Sequence, residues 1–301
     1  MSDTLAVSVV VPVLNGAKTI GALLDALAQQ SGAPPDAEII IVDNGSTAGT
    51  TEVVQRHSVT LLHEAIRGPA AARNCGLRHA RGAVIAHLDA DTLPSRRWLA
   101  EIVTPFEDPQ VVIVAGRTVC YPQDTAAGRY VAASGLYETE RAINREPFPF
   151  APSLNMAVRR SAALAVGGWA ADMMTGEDVD FSHRVLRAFP SRIAYQPKAV
   201  LFHNTRASAE DLRRQAWTYG EGAADIYLRY PEVVRWDLAK TLVLVGRLGA
   251  RSALPPLLAL GAMVRAAEAK DVEFARYHRL WTWAFWRGFF SMYRHRERRK
   301  P

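Results

Sequence analysis

Continuous runs of Val and Ile, each followed by a helical pattern, fill the first 121 residues. "VSVVVPV", "AEIIIVDNGS", "VTLLHE", "GAVIAHLDAD" and "QVVIVAGRTVCY" read as strands. Between them "AKTIGALLDALAQQ", "TEVVQRH", "GPAAARNCGLRHAR" and "SRRWLAEIVTPFE" read as helices, the first with Ile20, Leu23, Leu24 and Leu27 at helical spacing. Strands without polar alternation are buried on both faces, and the intervening helices supply the cover. The pattern predicts an α/β fold, a mostly parallel sheet flanked by helices. A length of 301 residues suits one large α/β domain with additions, or two small ones. The apolar fraction of 49% is enough for a sizeable core and is that of neither a disordered chain nor a membrane-embedded one.

In a parallel sheet, ligands bind outside the carboxyl ends of the strands. Asn15 and Gly16 follow the first strand, Asp43, Asn44 and Gly45 the second, and Asp89 and Asp91 the fourth. Each cluster alone is explained by turn chemistry. Three on one rim point to a ligand. The stretch His87–Thr92, "HLDADT", is the sharpest of them. Residues two apart on a strand face the same side, which would set Asp89 beside Asp91. Paired carboxylates at a strand end are costly unless something positive is bound. The competing reading is a turn that caps the next helix, with Thr92 and Pro94 where that helix would begin. No G-x-G-x-x-G follows the first strand, and there is no G-x-x-x-x-G-K-[ST]. Phosphate held through a carboxylate-bound magnesium or manganese ion is left, with Asp91 as a ligand.

The net charge of +6 is uneven: residues 271–301 carry eight Arg or Lys against three acidic residues, and nine of the 26 aromatics. The remainder is nearly neutral, which argues against a nucleic-acid footprint. Cys75 and Cys120 are too few and too far apart for a disulfide framework or metal cluster, and read as buried thiols. No leader pattern is evident at the N-terminus, so a cytoplasmic location is expected. No uninterrupted stretch of about 18 apolar residues is present. "TLVLVGRLGARSALPPLLALGAMV" is broken by Arg247, Arg251 and Pro255-Pro256. "LWTWAFWRGFFSMY" is flanked by His278, Arg279 and "RHRERRK". Residues 271–301 are therefore expected either to cap the preceding domain or to attach peripherally to an anionic membrane surface, on the inner face of the cell membrane.

Taken in order, "VSVVVPVLNG", "IIIVDNGS", "RGPAAARNCGL", "HLDADT", "PSLNMAVRRSAALAVGGW" and "MTGEDVDFSHRVL" resemble the family 2 glycosyltransferases of GT-A fold. The resemblance covers roughly residues 7 to 230. It implies that Pro12, Asn15 and Asp43 help to hold the base and ribose of a nucleotide-sugar. It places Arg73 at the nucleotide or its phosphates, Asp89 near the ribose and Asp91 on the metal that bridges the diphosphate. His203, in "AVLFHNT", would contact the metal or diphosphate. Asp178, in "GED", would be the general base for an acceptor hydroxyl, with Glu177 positioning the acceptor. The resemblance further implies a single-base, inverting transfer, UDP as the commonest donor nucleotide with GDP and dTDP open, and a glycan or lipid-linked acceptor of the cell envelope.

Plainer readings stand beside these. "GEDVDFSHRVL" is also an acidic helix start, which Asp180 fits better than Asp178. His203 could be an ordinary strand-end histidine, Arg73 a surface helix residue, and Trp169 either a pocket wall or core. Processive synthases carry Q-x-x-R-W, and Arg213-Arg214-Gln215-Ala216-Trp217 does not match it, so one sugar per acceptor is expected. Haloacid-dehalogenase phosphatases carry D-x-D-x-[TV] at the first strand, whereas here Thr92 directly follows Asp91 on the fourth. A non-catalytic nucleotide-sugar-binding or membrane-associated scaffold of the same fold is the remaining alternative. By expected role the chain divides into a nucleotide-sugar-binding half (1–115), an acceptor-binding half (116–230) and a helical, aromatic and basic extension (231–301).

Overall fold

The expected alternation holds through the first 121 residues except for one additional short strand. The computed structural model describes residues 7–47, 49–121, 124–204, 208–234, 238–263 and 268–297. The chain enters with β1 (Val7–Val13), α1 (Ile20–Ala28), β2 (Glu38–Asp43), α2 (Thr50–Val54), β3 (Thr60–His63), α3 (Pro69–His79) and β4 (Val84–Leu88). It continues with β5 (Thr92–Pro94), α4 (Trp98–Val103), a 3-10 turn at Thr104–Glu107 and β6 (Ile113–Tyr121). Then come α5 (Ala126–Ser134), α6 (Thr139–Ile143), β7 (Asn155–Arg159), α7 (Arg160–Ala165), α8 (Glu177–Ala188) and β8 (Ala194–Asn204). Three long helices follow: α9 (Ala209–Arg229), α10 (Leu238–Met263) and α11 (Ala269–Glu297).

The eight strands form one sheet in the order β3-β2-β1-β4-β7-β6-β8-β5. The pairs β1–β2, β2–β3 and β1–β4 are parallel. The pairs β4–β7, β6–β7 and β5–β8 are antiparallel. The α/β class stands, and the parallel arrangement belongs to the first four strands. An apolar run reports that both strand faces are covered; it carries no information on the direction of the neighbour.

Alternate residues of β1 serve two cores. Val7, Val9, Val11 and Val13 pack with Ile20, Leu23, Leu24 and Leu27 of α1 and Trp98 and Ile102 of α4. Val10 packs on the other face with Ala72 and Cys75 of α3 and Phe181 and Val185 of α8. Burying each leucine of α1 contributes roughly 1.5–3 kcal/mol, so truncating Leu24 would loosen the face that carries β1. Cys75 and Cys120 are both free thiols, and burial pushes Cys120 up to about 11.

By packing, the chain forms two compact units: Met1–Cys120 with Tyr137–Asn204, and Tyr121–Leu136 with Thr205–Pro301. The divisions at 115 and 230 are by expected role, and packing groups α9 with the C-terminal helices instead. Within the second unit, Arg129 of α5 forks onto Glu273 of α11 at 2.9 and 2.7 Å. Gly220 of α9 and Gly288 of α11 let those two helices meet backbone to backbone. α10 runs unbroken through Pro255 and Pro256. Leu242–Leu260 within it is long and apolar enough to cross a membrane, by length and composition alone.

Candidate active site

β4 ends at Leu88, and Asp89–Asp91 form the turn that leads to β5. Strand alternation therefore does not govern these two aspartates. Each meets its own partner, which corrects the side-by-side expectation. Thr92 and Pro94 are strand rather than helix start, because β5 pairs with β8, Thr92 opposite His203. α4 begins only at Trp98, so the helix-capping account of "HLDADT" fails.

That register fixes the next neighbour. With His203 opposite Thr92, its Nε2 comes within 3.9 Å of the Oδ2 of Asp91. His203 is buried, its ring 4.5 Å from that of Tyr137, while Asp91 keeps about a third of its side chain exposed. An oxygen and a nitrogen donor could share a small divalent cation, but with metal–ligand distances of about 2.0–2.2 Å neighbouring positions lie about 3 Å apart, so Asp91 and His203 would have to draw together by about 1 Å to take them. Among the described residues no group of three or more His, Cys, Asp or Glu could hold a metal. A cation here would complete its shell with oxygens of a bound ligand, the habit of magnesium and manganese at phosphates.

Asp89 turns to Arg73. The guanidinium, 2% exposed, donates from Nη2 to Asp89 Oδ1 at 2.7 Å and from Nη1 to Glu177 Oε1 at 2.8 Å. Burial opposes its charge, but Asp89, Glu177 and Asp178 outweigh burial and raise its pKa. Arg73 is thus neither a surface residue nor a free cation; it clamps the end of β4 to the start of α8.

α8 starts where it does because Gly176 takes φ 76°, a left-handed conformation open to glycine. Glu177, Asp178 and Asp180 fill the first turn, where the helix dipole favours negative charge. Asp180 is fully buried and bound by Arg184 at 2.7–2.8 Å, a structural pair. Burial pushes the Glu177 carboxyl up to about 7, against the opposing pull of Arg73 and with Asp178 adding to the rise. Asp178 is raised too, mainly by burial, while the Ser153 N–H and Arg73 oppose it. Its Oδ1 accepts from the Val179 N–H at 2.9 Å, and the residue is largely but not fully buried.

The first two strand ends are occupied by their own loops. Asn15, at φ 54°, accepts on Oδ1 from the Thr47 N–H at 2.9 Å, and its own N–H donates to Ser46 Oγ at 2.8 Å. Asp43 is buried and accepts from the N–H groups of Gly45 and Ser46 at 3.2–3.3 Å. Pro12 is half-buried in β1, opposite Val42. These bonds join the turns after β1 and β2 into one rim.

Sequence reasoning left Asn74 and His87 unassigned. Asn74 grips both backbone groups of Trp169, accepting its N–H and donating to its carbonyl, each at 2.8 Å. The Trp169 ring stacks on Phe181 at 4.2 Å and lies 5.0 Å under Arg73, so it is core rather than pocket wall. His87 meets its edge at 5.1 Å, and burial together with the Arg73 charge holds that histidine neutral, well below its usual range. "ARN" and "GGW" are two halves of one contact between residues 95 apart in sequence, and no local signal in either links them.

Residues 8–167 match the sequence model of Glycosyl transferase family 2. The chain is 33% identical over 235 residues to the pre-mycofactocin glycosyltransferase of Mycobacterium tuberculosis, covering 75% of the chain and 48% of that protein. The chain thus spans about half the length of that relative. It is 30% identical over 237 residues to glycosyltransferase AglE of Haloferax volcanii, covering 76% of each. Among solved structures it is similar to the mannosyltransferase PcManGT from Pyrobaculum calidifontis in complex with GDP-Man and Mn2+, with TM-score 0.67 and 23% identity, covering 94% of this chain and 86% of that one. The mixed sheet, its flanking helices and this likeness establish the GT-A fold. With more than half of its residues in the family match, and AglE aligned over three quarters of both chains, the chain belongs to glycosyl transferase family 2.

Proposed function

We propose that the protein transfers one sugar from a nucleotide-sugar to an acceptor hydroxyl, with a divalent cation and with inversion at the anomeric carbon. The observation that carries this reading is the Asp89–Arg73–Glu177 chain of ion pairs. It ties the turn holding Asp91 to the helix start holding the partly buried, raised carboxyl of Asp178. Asp91 and His203 would hold magnesium or manganese, which when bound neutralises charge on a diphosphate leaving group. Asp178 takes the proton of the acceptor hydroxyl as its oxygen bonds the anomeric carbon and the bond to the diphosphate breaks. A positioned base contributes typically about 10²–10⁴-fold. Glu177, fixed by Arg73, orients the acceptor. Pro12, Asn15 and Asp43 form the rim against the base and ribose. UDP, GDP and dTDP are the donor nucleotides to be compared, and the acceptor is a glycan or lipid-linked glycan of the cell envelope.

The deciding experiment is thermal stability against UDP, GDP, dTDP and CMP, each with and without manganese, for the wild type and Asp91→Ala. A ligand that binds only the folded state stabilises it by RT ln(1 + [L]/Kd). One nucleotide should stabilise the wild type only with metal, and Asp91→Ala should lose that effect. No shift with any nucleotide would remove the donor site. A nucleotide shift without turnover of the matching sugar donors would favour a binding scaffold.

A further inference from the structure

α10 carries 26 residues without one Asp or Glu, while Lys240, Arg247 and Arg251 lie along it. Apart from Arg247, its exposed side is apolar. Leu242, Val245, Leu257 and Leu260 are each at least 61% exposed, with Val243 and Leu254 beside them. Leu242 and Leu260 are about five turns apart and so point the same way. Water-exposed leucines scattered singly need no explanation, but an apolar stripe the length of a helix does.

The neighbouring helix supplies a second observation. α10 lies along α11 through Arg251 Nη1, which donates to Thr282 Oγ1, and Trp283 Nε1, which donates to Ser252 Oγ, both at 2.9 Å. Trp283 is itself 42% exposed, between the exposed Arg279 and Arg287 four residues to either side. An Arg–Trp–Arg row therefore borders the apolar stripe. Tryptophan with an exposed ring edge, arginine beside it and leucine behind is the composition of a membrane–water interface, where cations meet anionic headgroups. Leu242–Leu260 would be about 28 Å long, close to the thickness of a bilayer's hydrocarbon layer. A crossing orientation, however, would carry Arg247 and the bordering Arg279 and Arg287 into hydrocarbon, where each is costly.

We propose that the exposed apolar face of α10 embeds in the headgroup–acyl boundary of an anionic bilayer, the helix lying in the membrane plane with the Arg279–Trp283–Arg287 row at the headgroups. The apolar anchor is thereby placed on α10, and the segment 271–301 supplies the cationic border. The inference is independent of the donor-site reading.

The test is flotation of the full chain with phosphatidylcholine vesicles, with and without phosphatidylglycerol, at low and high salt. The variants are Leu257→Gln/Leu260→Gln and Arg279→Gln/Arg287→Gln, all at exposed positions, with Leu242→Gln/Val245→Gln replacing the first pair should it fail to fold. The wild type should float with anionic vesicles. The leucine pair should lower the bound fraction at least about tenfold, as expected when two leucines no longer leave water. The arginine pair should abolish the preference for phosphatidylglycerol and its salt dependence. The manganese-dependent nucleotide shift should be unchanged in every variant, so that a failed donor site and a failed membrane site read out separately. The proposal is overturned if the full chain does not float, or if both pairs float like the wild type. It is also overturned if the leucine pair converts a dimer into a monomer without any flotation, which would assign the face to a second copy of this chain.

Discussion

Arg73 and Glu177 lie 104 residues apart in sequence and 2.8 Å apart in the fold, joined where almost no water reaches either. The pair does not leave Glu177 an ordinary carboxylate. Burial outweighs the guanidinium, and the carboxyl titrates near neutrality. Removing a buried charge from water costs more than one good partner returns, unless further bonds satisfy it.

Glu177 should therefore make stability depend on pH. Its folded carboxyl is raised from 4.5 to about 7, so the folded state binds the proton more tightly than the unfolded chain. The stabilisation from that proton is fully present below about 4.5 and is lost as pH rises through about 7. Glu177→Gln removes the titration at nearly constant shape. Melting temperatures measured from pH 4 to 8 should fall more steeply for the wild type than for the variant across that window. Parallel curves would show that Glu177 is ionised throughout.

Asp178 should set the acid limb of activity. Asp178→Asn should lower kcat by about 10²–10⁴-fold while the manganese-dependent nucleotide shift persists, because the base is needed only for the acceptor. The raised carboxyl must lose its proton before it can accept one, so kcat/KM should fall as pH drops through its pKa. Glu177→Gln takes away a neighbouring negative charge, and the acid limb should then move to lower pH. A limb that stays in place would separate the two carboxyls electrostatically.

Asp91 and His203 should share one metal. His203→Ala should weaken the manganese dependence of the nucleotide shift on the order of 10–100-fold, a scale that even outer partners of metal ligands reach. Asp91→Ala should abolish it. Acid should weaken the site through both residues, since each binds a cation only in its deprotonated form. A manganese titration that His203→Ala leaves unchanged would return His203 to an ordinary strand-end role.

Legibility followed sequence distance. Strands β1 to β4 were readable because each is a short apolar run of its own. β5 was not: three residues ending in proline resemble a helix start, and only pairing with β8, more than a hundred residues later, makes them a strand. The same non-local pairing brings His203 to Asp91, so the two metal candidates were nameable separately but not as a pair. Arg73 was readable as a site residue by resemblance, while its burial between two carboxylates depends on where α8 lands. Asn74, beside it, looked like any polar helix residue until Trp169 arrived.

The glycines of the α9–α11 crossing offer the sharpest stability prediction, because two effects of opposite sign compete. A Cβ on Gly220 would stand 1.9 Å from the carbonyl oxygen of Phe285, and one on Gly288 would stand 2.0 Å from that of Trp217. Replacing glycine by alanine inside a helix ordinarily stabilises by about 0.8–1 kcal/mol. Here the obstructing atoms are backbone, which cannot rotate away, so the helices themselves must separate. Overpacking of this kind costs about 1–3 kcal/mol and more where backbone must shift. Gly220→Ala and Gly288→Ala should each be net destabilising, and the double variant should cost less than their sum, since one separation relieves both clashes. Gly249→Ala supplies the control: it lies on the exposed side of α10 with nothing within 4 Å of the added methyl, so the propensity gain should appear undiminished. Denaturant unfolding of the four variants gives the comparison. Stabilisation by Gly220→Ala would mean that α9 and α11 do not meet at these glycines in solution.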